Sequence, residues 1–423
     1  MEIRPTFGDS SWFVHDRFGL FIHWGLYSLS ARRGWLRMEE KIPTDVYIQR
    51  YFKHFDPDLY DPNLWADAAA QAGMKYFVMT TKHHEGFCLW DTRYTDFKAP
   101  NTPARRDLIR PAVEAFRARG FRTGFYYSLI DWDHPHYRYD AYYGPWHDPA
   151  DRERLNATRD QSKYAQYIRD QVTELLTRYG KIDMMWFDFA YPYPDGKNRD
   201  DFQSQQLWDL VRKLQPHMLI DDRLDLPDNW DFKTPEKTRP REWVTHQGQR
   251  VVWEACHPFS DGWGYQRDEG GYKSVEQLVT ILIDSVSKGG NFLLNVGPTA
   301  RGKFDERALE RLRGIGRWMH HHGRSIYGCT QAPAEYPQPE DCRLTWNPAT
   351  RRLYVHVLAW PFKDLYLDGL AGKVEYAQLL NDASELKMSE PADDYNKQRK
   401  TLTLHLPTIK PNVTVPVVEL FMK

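Results

Sequence analysis

The sequence predicts an α/β fold, a (β/α)8-like barrel followed by a C-terminal antiparallel β-sandwich. Two observations predict the barrel. Between residue 17 and about residue 325, short runs of β-branched and aromatic residues alternate with segments of helical period. The runs are almost continuously apolar, as strands buried on both faces of a parallel sheet must be. One observation predicts the sandwich. Beyond about residue 330 the helical period disappears, and short strands separated by Asn, Asp, Gly and Pro turns replace it.

Seven barrel strands follow from the first region, at residues 18–24, 76–82, 123–128, 182–188, 218–223, 251–257 and 291–296. Between them lie amphipathic helices. The clearest places Val275, Leu278, Val279, Leu282, Ile283 and Val286 on one face, and another runs from Tyr164 to a stop at Gly180. Seven or so strand–helix units over this length fit a barrel with one irregular or missing unit. Residues 223–251 contain Pro227, Pro235 and Pro240 without a helical period and read as a long loop. In the second region, residues 343–346, 353–359, 364–367, 401–406 and 413–421 read as strands. The chain therefore divides into a catalytic barrel over 1–328 and a sandwich over 329–423.

Composition narrows the function. Lys+Arg number 57 against 58 Asp+Glu, so no basic field exists to hold a nucleic acid or an anionic membrane. Mean hydropathy is −0.71, and no long uncharged apolar run suggests a membrane span. The first residues, Met1 to Pro5, lack the basic-then-apolar pattern of a signal peptide, so a cytoplasmic protein is expected. The four cysteines form no CxxC pair and no disulfide framework. Aromatic residues reach 15%, and their faces suit the C–H surfaces of sugar rings.

A parallel barrel carries its active site at the C-terminal ends of its strands. Polar residues gather at those ends: His23, then His83 and His84, then Tyr126, then Trp186 and Asp188, then Arg223, then Glu254 and His257. Asp188 leaves a buried strand, where a desolvated carboxylate can attack an anomeric carbon and form a glycosyl intermediate. A second carboxyl must then serve as general acid and base. Glu236, Glu254 and Asp231 all qualify, and spacing does not choose among them. His83 and His84 are adjacent on a strand and so should point to opposite faces, which argues against a shared metal ion. No metal and no cofactor is expected. The run His320–His321–His322 is expected at a helix end in solvent. The loop at 133–148, with Tyr137, Tyr139, Tyr142, Tyr143 and Trp146, is expected to border the pocket mouth.

Six segments then carry a resemblance: FGLFIHWG (18–25), TTKHHEGFCLWDT (80–92), GFYYS (124–128), WFD (186–188), WDFKTPE (230–236) and KGGNFLLNVGP (288–298). In this order, across residues 12–325, they resemble the α-L-fucosidases of glycoside hydrolase family 29. The resemblance implies a retaining, exo-acting α-L-fucosidase whose substrate is a fucosylated glycan or glycoside. It implies that Asp188 is the nucleophile, and that His23, Trp35, His83, His84, Tyr126 and Trp186 bind the sugar beside the cation of Arg223. It favours Glu236 as acid/base, with Asp231 and Glu254 as alternatives. One departure stands out. Many family members have a Glu-Trp pair where this chain has Gly34-Trp35, so Glu39 or Glu40 would have to fill that role. The gap also makes α-L-galactosides plausible substrates. The alternative from another class is a non-catalytic carbohydrate-binding barrel. Oligomeric assembly stays open.

Overall fold

The computed structural model of the chain describes residues 2–141, 149–191 and 196–423. Eight strands, β1 (Phe18–Ile22), β2 (Tyr76–Lys82), β3 (Arg122–Ser128), β4 (Met184–Asp188), β5 (Leu219–Ile220), β6 (Phe232–Lys233), β7 (Val252–Pro258) and β8 (Asn291–Val296), form one sheet. Its order is β5-β4-β3-β2-β1-β8-β7-β6, and each neighbouring pair is parallel. A further parallel bridge, Asp221 to Phe232, joins the end of β5 to β6 and brings the two edges of the sheet together.

Why these runs form a barrel is visible in their alternation. Phe21, Tyr76, Val78, Tyr126, Met184, Trp186 and Leu293 pack as one cluster inside the barrel. Their strand neighbours Leu20, Phe77, Phe125, Met185 and Leu294 belong to the larger core beneath the surrounding helices. The period of two therefore aims the last inward positions at the strands' C-terminal mouth. His23 lies two residues beyond Phe21, and Asp188 two beyond Trp186. The fold itself sets their direction.

The expected long loop at 223–251 is corrected in one respect. It contains the barrel's sixth strand, Phe232–Lys233, and a small hairpin of Thr245–His246 with Gln249–Arg250. Two-residue strands are too short to impose a readable period, and the prolines around them mask the pairing.

The C-terminal region forms two antiparallel sheets. With β9 (Thr330–Gln331), β10 (Cys342–Asn347), β11 (Arg352–Val357), β12 (Asp364–Leu367), β13 (Val374–Leu379), β14 (Lys387–Ser389), β15 (Leu402–His405) and β16 (Val417–Met422), the orders are β9-β10-β11-β16-β13 and β12-β15-β14. Leu344, Leu353, Val355 and Val418 of the first sheet share a core with Leu365, Leu367, Leu402 and Leu404 of the second. The last strand begins at Val417 rather than at 413, because Pro416 has no N–H for the ladder. His322 also departs from expectation: only His320 and His321 are exposed, whereas His322 is buried with Nδ1 bonded to the Trp318 carbonyl at 2.8 Å. Among the described residues, no helix is long and apolar enough to cross a membrane.

Candidate active site

At the barrel's C-terminal mouth lies a cavity of about 280 Å³. Small-molecule sites run from about 300 Å³ upward, so this one suits a single sugar ring. A wider groove of about 1110 Å³, beside Arg317 and Lys410, has Glu276 as its one carboxylate among the described residues and so offers no acid pair there.

Arg223 organises the chemistry of the smaller cavity. Its Nη1 donates to Asp188 Oδ1 and its Nη2 to Glu236 Oε2, both at 2.8 Å. Nε donates to Thr234 Oγ1 at 3.0 Å, and Thr234 is held in turn by Asp222. The guanidinium lies over Trp186, 4.3 Å from the ring centroid. Burial works against the Arg223 charge, and Asp188 and Glu236 more than offset it. The second oxygen of Asp188, Oδ2, accepts the Tyr126 hydroxyl at 2.5 Å. Burial pushes the Asp188 carboxyl up from its ordinary value, and Arg223 opposes that rise. The residue after Asp188, Phe189, takes φ 74°, a region uncommon for a bulky side chain. That turn brings both Asp188 and Phe189 to the cavity.

Three histidines also line the cavity, and His84 Nε2 lies 3.9 Å from Asp188 Oδ2. His23 Nδ1 lies 2.6 Å from Asn295 Oδ1, and the Asn295 amide N–H is committed to the Trp263 carbonyl. Asn295 thus accepts, His23 Nδ1 donates, and Nε2 is left as an acceptor for a sugar hydroxyl (a tautomer inferred from this network). Burial, with His83 close by, holds His23 well below the usual imidazole range, so it is neutral. His84 is lowered in the same way and bonds Ser128 Oγ through Nδ1 at 2.7 Å. His83 Nδ1 faces Glu85 at 3.3 Å.

The expectation that His83 and His84 diverge is corrected. They follow the end of β2, where strand alternation no longer applies, and both line the cavity with ring centroids 4.0 Å apart. Among the described residues, no group of three or more His, Cys, Asp or Glu is arranged to hold a metal ion.

Trp35 rests its ring against His84 and Phe189, at 4.8 and 5.3 Å. The structure therefore brings Asp188, Glu236, His23, Trp35, His83, His84, Tyr126, Trp186 and Arg223 to one cavity.

Two expected alternatives lie elsewhere. Asp231 Oδ1 accepts the backbone N–H groups of Phe7 and Gly8 at 2.7 and 2.8 Å, and Oδ2 accepts that of Ile220 and the Arg212 guanidinium. Four donors saturate that carboxylate away from the cavity. Glu254, the third residue of β7, is buried in the barrel interior, where Oε2 accepts the Tyr76 hydroxyl at 2.5 Å. Neither residue lines the cavity. Of the loop at 133–148, Tyr137 and Tyr139 are buried, and Tyr142, Tyr143 and Trp146 lie outside the described residues.

Several cavity residues escaped the sequence reading. Trp263 stacks on His23 at 5.2 Å and 28°, and Phe21, Phe189, Lys237 and Asp261 also contribute. Trp263 sits in an Asp-Gly-Trp-Gly stretch just past a barrel strand, the one signal that could have revealed it.

Comparison with known proteins gives consistent results. The profile of the α-L-fucosidase family matches residues 8–324. The α-L-fucosidase isoenzyme 1 of Paenibacillus thiaminolyticus superposes with a TM-score of 0.91 at 42% identity, covering 98% of both chains. A Bacteroides thetaiotaomicron α-L-fucosidase, solved as a trapped covalent intermediate with 2-fluoro-fucosyl fluoride, gives a TM-score of 0.85 at 26% identity over 100% of this chain and 98% of that one. The bovine tissue α-L-fucosidase is 27% identical, covering 97% of this chain and 86% of its own.

Proposed function

The chain belongs to the α-L-fucosidase family, retaining glycoside hydrolases of terminal α-L-fucosides, and from that premise we propose that Asp188 is its nucleophile and Glu236 its acid/base. The single observation that carries this assignment is the shared guanidinium. Arg223 bonds both carboxylates at once, which supports reading them as the close pair, about 5–5.5 Å apart, that a double displacement requires.

In the first half-reaction an Asp188 oxygen bonds to the anomeric carbon while Glu236 gives its proton to the departing glycosidic oxygen. In the second, Glu236 takes a proton from water, and that water displaces Asp188 from the same carbon. Two inversions restore the α configuration. The Tyr126 hydrogen bond and the Arg223 charge stabilise the carboxylate form that attacks. His23 accepts a sugar hydroxyl through Nε2, and His83, His84, Trp35 and Trp186 enclose the ring. The cavity's size supports release of one terminal fucose at a time. The same reading assigns catalysis to residues 1–328 and leaves 329–423 as a separate sandwich domain.

NMR of the first-formed product tests the stereochemistry, with α-fucose expected; initial release of β-fucose would sink the scheme. Glu236→Ala tests the acid/base. It should lose about 10²- to 10⁴-fold on fucosides with poor leaving groups and far less on activated aryl fucosides. An equal loss on both would remove Glu236 from that role. A panel of linkage-defined fucosides that includes an α-L-galactoside would establish the natural linkage and the selectivity.

A further inference from the structure

Three consecutive residues just past β5, Asp221, Asp222 and Arg223, each bond a different part of the site. Arg223 joins the two carboxylates. The two acids before it divide between the segments that carry those carboxylates.

Asp221 serves β4. That strand pairs with β5 only at Met184 with Leu219 and Met185 with Ile220, because β5 stops after two residues. The last backbone bond between them, from the Asp221 N–H to the Met185 carbonyl, is stretched to 3.4 Å. Two residues on, the N–H of Phe187 finds Asp221 Oδ1 instead, at 3.1 Å. A side chain thus continues the ladder where the strand has ended. On the other edge of β4 the Asp188 carbonyl accepts the Leu129 N–H at 2.8 Å. The backbone around the nucleophile is held from both sides just before the left-handed turn at Phe189. Asp221 is fully buried, and burial, reinforced by Asp222, holds its carboxyl well above the ordinary range. It is a neutral acceptor.

Asp222 serves the acid/base. Its Oδ1 accepts the Thr234 N–H at 3.1 Å and the Thr234 hydroxyl at 2.8 Å, and Lys233 Nζ lies 3.5 Å from Oδ2. With its proton given to Asp222, the hydroxyl oxygen is left to accept Arg223 Nε at 3.0 Å. Thr234 lies two residues before Glu236, which bridges β7 at Cys256. Asp222 therefore fixes the segment that carries Glu236 and orients the guanidinium that bonds it.

We infer that Asp221 and Asp222 are positioning residues for the two carboxylates, Asp221 acting on Asp188 through the Phe187 N–H and Asp222 acting on Glu236 through Thr234. This rests on the assignment of nucleophile and acid/base above. Neither acid lines the cavity, and neither is placed to touch the sugar. The division has a kinetic signature. Proton donation by Glu236 matters most when the leaving group is poor, whereas attack by Asp188 is needed on every fucoside.

Values of kcat/KM on phenyl and nitrophenyl α-L-fucosides, scaled to the fraction folded by near-UV circular dichroism, test the inference. Asp222→Ala should lose about tenfold more on the phenyl substrate, the poorer leaving group, than on the nitrophenyl one. Asp222→Asn keeps an oxygen for Thr234 and should recover most of that difference. Asp221→Ala should lose about tenfold on both alike, and Asp221→Asn, which keeps an oxygen for Phe187, should recover most of the loss. An Asp222→Ala variant with the wild-type ratio between the two substrates overturns the inference; that ratio does not depend on how much enzyme is folded. So does an Asp221→Ala loss below about threefold or confined to the phenyl substrate, or an asparagine variant at either position no better than its alanine counterpart. If Glu236→Ala itself showed no leaving-group dependence, the acid/base assignment would fall first, and the two failures are distinguishable.

Discussion

Two buried carboxylates of the barrel each accept a tyrosine hydroxyl, but only one of them is bonded to a cation. At the mouth, Asp188 accepts the hydroxyl of Tyr126; in the centre, Glu254 accepts the hydroxyl of Tyr76, again at 2.5 Å. Burial raises both. The mouth also has Arg223, which bonds Asp188 and opposes the rise. Among the described residues no cation bonds Glu254, and burial pushes that carboxyl up to about 8. A tyrosine donor thus does not decide whether a buried carboxylate is a base or a neutral hydrogen-bonding group. The cation decides it. The cation suits Asp188 to the proposed attacking role, and burial suits Glu254 to stay protonated within the barrel's interior.

The most severe test of this contrast removes the attacking group. Asp188→Ala should cut turnover by about 10³-fold or more without unfolding the protein. Azide should restore turnover as β-fucosyl azide, the product of a single inversion. A variant that keeps more than about a tenth of wild-type kcat would end the claim that the mouth carboxylate is the nucleophile.

The second test makes the mouth resemble the centre. Arg223→Met leaves Asp188 buried beside Tyr126 with no cation. If Asp188 is the nucleophile, as proposed, activity requires its ionised form and is lost as pH falls through the Asp188 pKa. Removing the opposing charge raises that pKa, and the acid limb of kcat/KM should move up by at least about one pH unit, with kcat/KM down about 10²-fold at neutral pH. An unmoved acid limb would show that Arg223 does not set the charge state of Asp188. Tyr126→Phe is the milder version. It removes a bond that favours the carboxylate, so the acid limb should shift in the same direction by less, with a loss of about tenfold in kcat/KM. A shift to lower pH would reverse the assigned role of the hydroxyl.

The mouth was more legible in the sequence than the centre, for a physical reason. Long buried strands have an inward period, so His23, Trp186 and Asp188 could be placed at strand ends from residues 18–24 and 182–188 alone. The strand Phe232–Lys233 has no period to read, and with it went the placement of Asp231 and the closure of the barrel. Glu254 looked like a candidate acid because a carboxylate in an apolar strand is conspicuous. Only coordinates reveal that it points at Tyr76 rather than at the mouth. Trp263 comes from a loop, where direction is set by tertiary contacts that no local pattern encodes. His83 and His84 were misjudged by extending strand alternation one step past Lys82.

The smallest expected effect concerns the centre itself. Glu254 has a folded-state pKa of about 8 against an ordinary 4.5. Between those values the native state keeps a proton that the unfolded chain has released. The stability that Glu254 contributes is therefore full below about 4.5 and declines as pH rises through that window, with the native state binding more protons than the unfolded one. Glu254→Gln preserves the shape, keeps a carbonyl for the Tyr76 hydroxyl and removes the titration. Its melting temperature should fall less steeply than that of wild type between pH 5 and 8, and kcat/KM on an aryl fucoside should stay within a few-fold, since Glu254 lies outside the cavity. If the two proteins show parallel pH–stability curves, Glu254 is ionised in the native barrel. The centre and the mouth would then differ in position only, and the cation would lose its standing as the feature that separates them.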